Sequence, residues 1–368
     1  LSAEGTTAVT NWSPSKDARK LGYAVSVKGS DWQEIRVRDV ETGKDLADTL
    51  HWAKFTGIAW TKDSRGFFYS RYSAPEGDSL LTPSKGQKLY YHKLGTPQSS
   101  DVLIWERPDR PEWYVGGEVS DDGQFLVITI AEGTSPNNRL YFVDLSNPGS
   151  PDIRAPVVKL VDRFDANYTF IDNAGDFFFI LTDLGAARGR VVLVDLDEGS
   201  RAAPRVLIPE SEDKLEQVQL IGGHLVANYL HHAHSVLKLF TYRGAFAREL
   251  PVPGLGTVGG ISGHPDEPEL LYSYATFLQP ATIFRYDVDK STSSVFFEPK
   301  LTFDPSKYET KQVFYRSKDG TSVPMFITAQ KGITLDGQNP TILYAYGGFA
   351  ISTRPSFSPS RIAWLEMG

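Results

Sequence analysis

The 368-residue chain contains no cysteine, which excludes disulfides, a thiol nucleophile and thiolate metal sites. The same absence leaves the redox compartment open, because a cysteine-free protein is compatible with any of them. No uninterrupted apolar run reaches the roughly 20 residues that a membrane-spanning helix needs. Basic runs are missing as well, and the formal net charge is -7. That balance argues against nucleic acid or an anionic membrane surface as the main partner. The first residue is Leu1 rather than methionine, so signal-peptide reasoning does not apply.

What is present is an ordinary globular composition, 23% charged and 40% hydrophobic, with 32 glycines, 23 prolines and 12% aromatics. Helical periodicity is scarce before about residue 355, which favours short strands and turns. A unit recurs: a turn signal, an apolar strand, then a second strand ending near an aspartate or a turn. Ser15-Lys-Asp17 precedes Leu21–Val25, Thr61-Lys-Asp63 precedes Gly66–Tyr69, and Ser120-Asp-Asp-Gly123 precedes Phe125–Ile128. Asn173-Ala-Gly175 before Phe177–Ile180, Gly222-Gly223 before Leu225–Ala227, and His264-Pro-Asp266 before Leu270–Tyr272 continue the series. The partner strands are Glu34–Asp39, Lys88–His92, Leu140–Asp144, Val191–Asp195, Leu237–Thr241 and Thr282–Asp287. Paired strands at a spacing of roughly 40 to 60 residues read as propeller blades. The alternative, a long β-sandwich, leaves the period unexplained. The period breaks at Phe303-Asp-Pro305, and Gln312–Tyr315, Val323–Ile327 and Thr341–Tyr346 read as consecutive strands of a new sheet.

Three local patterns read as ordinary structure. Gly254-Leu-Gly256-Thr-Val-Gly259 fits a dinucleotide-binding spacing, but prolines precede it and Gly263-His264-Pro265 follows, where a helix N-terminus would have to stand. His231, His232 and His234 are badly spaced for one metal, since adjacent strand residues face opposite ways, and read as a solvated hairpin turn. The sequons Asn11-Trp-Ser13 and Asn167-Tyr-Thr169 matter only in a eukaryotic secretory setting. Trp12, Trp32, Trp52, Trp60, Trp105 and Trp113 are read as blade packing rather than a stacking platform.

The stretch that bears on function is Pro340-Thr-Ile-Leu-Tyr344-Ala-Tyr346-Gly347-Gly348-Phe349. A charge-free run of β-formers stopped by a glycine pair reads as a buried strand delivering its last residues to an exposed turn. The other reading is a core strand with a Gly-Gly turn and no chemistry.

Lys331–Gly337, Leu343–Phe349 and Ser317–Phe326 resemble the propeller-to-hydrolase junction of the prolyl oligopeptidase family. Gly29-Ser-Asp-Trp32, Leu89–Gly95 and Glu118–Gly123 are similar to that family too, so the likeness runs along nearly the whole chain. Ala345 stands where the family usually has glycine, and no GxSxG elbow occurs. The resemblance implies a mainly β chain, with a seven-bladed β-propeller over 1–302, its first blade incomplete, and the opening strands of an α/β-hydrolase domain over 303–368. It implies a serine endopeptidase cutting short peptides after proline, with no cofactor or metal, and with the propeller restricting access. The Tyr346 phenol would help form the oxyanion hole, a role that suits a neutral, directional donor. Phe349 would line the pocket for the proline ring, for which a flat apolar wall is suitable. The serine, aspartate and histidine of the family would all fall beyond Gly368, so this stretch alone is expected to be inactive. Its expected partners are the remainder of the peptidase domain and short proline-containing peptides, and the completed protein is expected to be a monomer. The expected compartment is the cytoplasm, with a periplasmic or secreted location as alternatives. A non-catalytic propeller that binds through its central channel is the competing class.

Overall fold

The computed structural model describes residues 2, 4–75, 84–197, 203–349 and 351–368. Nearly every element in it is an antiparallel strand. The first sheet has eight strands, in the order Thr7–Pro14, Lys20–Val27, Gln33–Asp39, Asp45–Ala53, Gly66–Arg71, Lys88–Lys93 and Val102–Trp105, with Ala59–Trp60 paired to Gly66–Arg71. Four four-stranded sheets follow. Their strands are Trp113–Val119, Phe125–Glu132, Asn138–Asp144 and Val158–Val161; Tyr168–Ala174, Phe177–Thr182, Arg190–Asp195 and Arg205–Ile208; Lys214–Ile221, His224–His231, His234–Thr241 and Phe246–Glu249; and Thr257–Ser262, Glu269–Ala275, Thr282–Asp287 and Thr292–Phe297. All twelve strands read from the sequence repeats fall inside these elements. The first two repeats, however, share one sheet, because Ala53 pairs with Arg71 and joins their two halves.

The repeated turn has a common chemistry. In Ser15-Lys-Asp17, Thr61-Lys-Asp63 and Ser120-Asp-Asp122 the hydroxyl donates to the aspartate two residues on, at 2.6, 2.7 and 2.7 Å. The backbone N–H of the same serine or threonine then donates to the carbonyl five residues later: Lys20, Gly66 and Phe125. Each turn therefore closes on the first residue of the next strand, which is why the turn signal and the apolar strand recur together.

The chain divides into two compact units. Unit 1 is Leu1–Leu184 with Leu193–Arg205, and unit 2 is Gly185–Val192 with Val206–Gly368. In unit 1 one core cluster holds Ile35, Leu50, Trp60, Phe67 and Tyr69, and another holds Phe68, Leu89, Leu126, Ile128 and Tyr141. Unit 2 is centred on Val226, Leu239, Leu270, Tyr272, Tyr274 and Tyr286. Trp60, Trp105 and Trp113 are buried as expected, but Trp12 is 65% exposed on the edge strand Thr7–Pro14 and packs no core.

After Thr292–Phe297, Asp304 caps a single 3-10 turn, Pro305–Lys307, by accepting a hydrogen bond from the Ser306 backbone. Tyr308–Arg316 and Ser322–Gln330 then pair along their full length as a hairpin, closed by Ser317–Thr321 with Gly320 at φ 88°. The third strand expected at Thr341–Tyr346 does not form. Residues 340–347 lack regular secondary structure, and Ile342, Leu343 and Tyr344 are 56, 84 and 71% exposed. A strand needs hydrogen-bonding neighbours and a face to bury, and none lies beside this run among the described residues. The α-helix Pro359–Glu366, with proline in its first turn, is the only one among the described residues.

Candidate functional site

The candidate site is the segment between the hairpin and the terminal helix. It leaves the hairpin through Lys331, whose N–H donates to the Lys307 carbonyl, and passes a turn in which Asn339 Nδ2 donates to the Thr334 carbonyl at 2.7 Å. Tyr346 follows, half exposed, with its hydroxyl turned toward Gly348: a Cβ on that glycine would stand 3.1 Å from the phenol oxygen. Phe349 is 92% exposed and has φ 53°, a left-handed conformation that a bulky residue rarely adopts. The Ile351 N–H donates to the Gly348 carbonyl and closes this turn. Both residues singled out from the sequence thus lie on one short exposed loop.

Beyond the loop the chain is fastened to its own unit. Arg354 makes a bidentate pair with Glu216, Nη1 to Oε2 at 2.7 Å and Nη2 to Oε1 at 2.5 Å. The Thr257 hydroxyl donates to the Pro355 carbonyl at 2.7 Å, and Pro355 is buried. Arg361 lies over the Phe277 ring and donates to Ser356. The loop carrying Tyr346 and Phe349 is therefore held at both ends within unit 2, and its side chains remain open to solvent.

The histidine cluster is a hairpin turn. His231 ends one strand, His234 begins the next, and the two turn residues, His232 and Ala233, have φ 44° and 65°. His231 Nδ1 lies 2.7 Å from Asp213 Oδ1, and burial pushes the His234 imidazole below the ordinary histidine range. No group of three or more histidine, cysteine, aspartate or glutamate side chains is placed to hold a metal ion among the described residues. Gly254–Gly259 runs from a loop straight into the strand Thr257–Ser262, without the helix that a dinucleotide phosphate needs.

One polar centre was not singled out from the sequence. His92 lies fully buried in unit 1, between Asp48 and Asp101. The only signal for it was the stretch Leu89–Gly95, where a histidine alternates with residues of a core strand.

Comparison with known proteins accords with this architecture. Residues 1–299 match the family described as prolyl oligopeptidase, N-terminal beta-propeller domain. The prolyl endopeptidase of Elizabethkingia miricola is 39% identical over 369 residues, covering 100% of this chain and 51% of that protein. The dual function macrocyclase-peptidase of Amanita bisporigera is 34% identical, covering 100% and 52%. Among solved structures, prolyl oligopeptidase B from Galerina marginata, bound to a 35mer hydrolysis and macrocyclization substrate, is similar with a TM-score of 0.91 at 32% identity. That match covers 100% of this chain and 53% of the other. The chain thus spans about half the length of the relatives it matches. With repeated four-stranded sheets along its length and that family matched from residue 1 to 299, this chain belongs to the prolyl oligopeptidase family.

Proposed function

We propose that these residues are the propeller and the opening of the hydrolase domain of a serine endopeptidase that cuts short peptides on the carboxyl side of proline. The observation that carries the reading is 39% identity to a prolyl endopeptidase across the entire chain. In this reading the sheets up to residue 302 are blades of a seven-bladed propeller that admits short peptides and turns away folded proteins. Residues 303–368 begin the peptidase domain, and Thr341–Tyr346 becomes a strand once the rest of that domain supplies neighbours. The exposed Ile342, Leu343 and Tyr344 side chains are the surface that such a sheet would bury.

The chemistry assigned to this stretch is limited and definite. As a serine attacks the carbonyl carbon of the proline residue, negative charge develops on the carbonyl oxygen, and the Tyr346 phenol donates a hydrogen bond to it beside a backbone N–H next to the serine. Phe349 supplies a flat apolar wall for the pyrrolidine ring. In this reading Tyr346 serves only as a donor and Phe349 has no reactive group, so the nucleophile, acid and base are assigned to sequence outside residues 1–368, which contain no GxSxG elbow.

An Xaa-Pro reporter assay tests the proposal, with a serine-directed covalent inhibitor as control. Residues 1–368 alone are expected to be silent, and the full-length protein to show inhibitor-sensitive turnover. Inhibitor-sensitive turnover by residues 1–368 would place the nucleophile inside them, and an inert, folded full-length protein would favour a propeller that binds without catalysis.

A further inference from the structure

The eight-stranded sheet of unit 1 consists of two halves joined by a single backbone pair, Ala53 with Arg71. One pair is a weak seam, and side chains reinforce it. Gln87 Nε2 donates to the Lys54 carbonyl at 2.8 Å. Gln98 Nε2 donates to the His51 carbonyl at 3.0 Å, and its Oε1 accepts from the His51 N–H at 3.2 Å. The most buried of these links is His92, from the second half, with Asp48 from the first. His92 Nε2 lies 3.0 Å from Asp48 Oδ1, and its Nδ1 lies 2.7 Å from Asp101 Oδ1. The side chains of His92, Asp48 and Asp101 are 0, 3 and 0% exposed.

A neutral imidazole has one donor and one acceptor nitrogen, so between two carboxylates it would set a lone pair against an oxygen. The carboxylates are already committed as acceptors: Asp48 Oδ1 also takes the Gly95 N–H at 2.6 Å, and Asp101 Oδ2 takes the Tyr69 hydroxyl at 2.6 Å. Only an imidazolium satisfies both nitrogens. We propose that His92 is a protonated pin that clasps the two halves of this sheet through Asp48 and Asp101, and that losing its proton at alkaline pH frees the halves to part.

The groups facing His92 are Asp48, Asp101 and, behind Asp101, Tyr69; Phe67 forms the apolar wall, with ring centroids 5.5 Å apart. His51 and Arg71 lie one step further out, around Gln98 and Tyr69. Gly66 makes the close packing possible, since a Cβ there would stand 2.3 Å from the His92 carbonyl oxygen. Burial alone pulls the imidazole down, but hydrogen bonds to Asp101 and Asp48 outweigh it and hold His92 above the ordinary histidine range. A raised value in the folded state means that the clasp is at full strength below the unfolded histidine value, near 6.5, and weakens as pH rises through the folded one.

Hydrogen–deuterium exchange on the full-length protein between pH 6 and 9.5, corrected for the intrinsic rate, tests this. Between the unfolded histidine value and the folded one, opening of residues 45–53 and 88–101 is expected to rise by up to about tenfold per pH unit and then to level off, while 125–144 stays protected. In His92→Gln the first two segments are expected to exchange fast at every pH. Wild-type protein carrying ring-labelled histidine gives a second reading by NMR, independent of whether the variant folds: the His92 ring is expected to be protonated at both nitrogens at pH 7. A neutral His92 ring at pH 7, or pH-independent protection of the two segments, would overturn the proposal.

Discussion

Two runs of similar composition have opposite fates in this molecule. Phe125-Leu-Val-Ile-Thr-Ile130 is a strand with neighbours on both sides, and five of its six side chains are buried. Thr341-Ile-Leu-Tyr-Ala-Tyr346 has equally strong β-formers and no ladder, and all six residues are exposed. The difference lies outside the runs. β-Propensity describes a fit to a pleated, half-buried surface, and without neighbours that surface is missing. Hydrogen bonds and burial follow from the sheet and cannot be supplied by one segment alone.

Mutations can break this contrast or sharpen it. The largest effect is expected where the sheet core is densest. Phe178 is fully buried against Phe125, Phe142 and Phe170, with ring centroids 4.9, 5.5 and 4.8 Å away. Phe178→Ala should cost about 3–5 kcal/mol in chemical denaturation of residues 1–368. A loss below about 1 kcal/mol would mean that the aromatic cluster contributes little to the stability of unit 1. A smaller effect is expected at the anchor beyond the loop. Glu216→Ala leaves the Arg354 guanidinium without its bidentate partner and should cost about 1–3 kcal/mol. It should also raise the proteolytic susceptibility of residues 351–358, and an unchanged digestion pattern there would show that the pair does not hold the segment. The smallest effect is expected at Leu343, where Leu343→Lys in residues 1–368 should change stability by no more than about 0.5 kcal/mol. The same substitution in the full-length protein should be severely destabilising if the run is there a buried strand. Equal, small effects in both would remove it from any sheet.

How much was legible beforehand depended on how local the cause was. The repeated strands could be read because each turn carries its own chemistry: Ser15 with Asp17, Thr61 with Asp63 and Ser120 with Asp122 signal the strand that follows. The histidine turn was legible for the same reason, since two residues between paired strands define it. The fusion of the first two repeats was not, because it rests on one pair, Ala53 with Arg71, that no periodicity marks. His92 was missed because its partners lie 44 and 9 residues away and meet only in the folded sheet. Thr341–Tyr346 was misread as a strand within this stretch because its pattern is that of a buried strand, while what would bury it is not among the described residues. Trp12 was misjudged because its strand is an edge, and edges are set by topology rather than by residue type.

The central claim is that the exposed loop of unit 2 supplies an oxyanion donor, and one measurement addresses it most directly: steady-state hydrolysis of an Xaa-Pro reporter by the full-length protein with Tyr346→Phe. The substitution removes one hydroxyl from a half-exposed ring, so thermal stability should hardly change. Loss of one donor to the developing charge should raise the barrier by about 3 kcal/mol, lowering kcat some 10²–10³-fold with a much smaller change in KM. A kcat equal to that of the unmodified protein, at unchanged stability, would contradict the account.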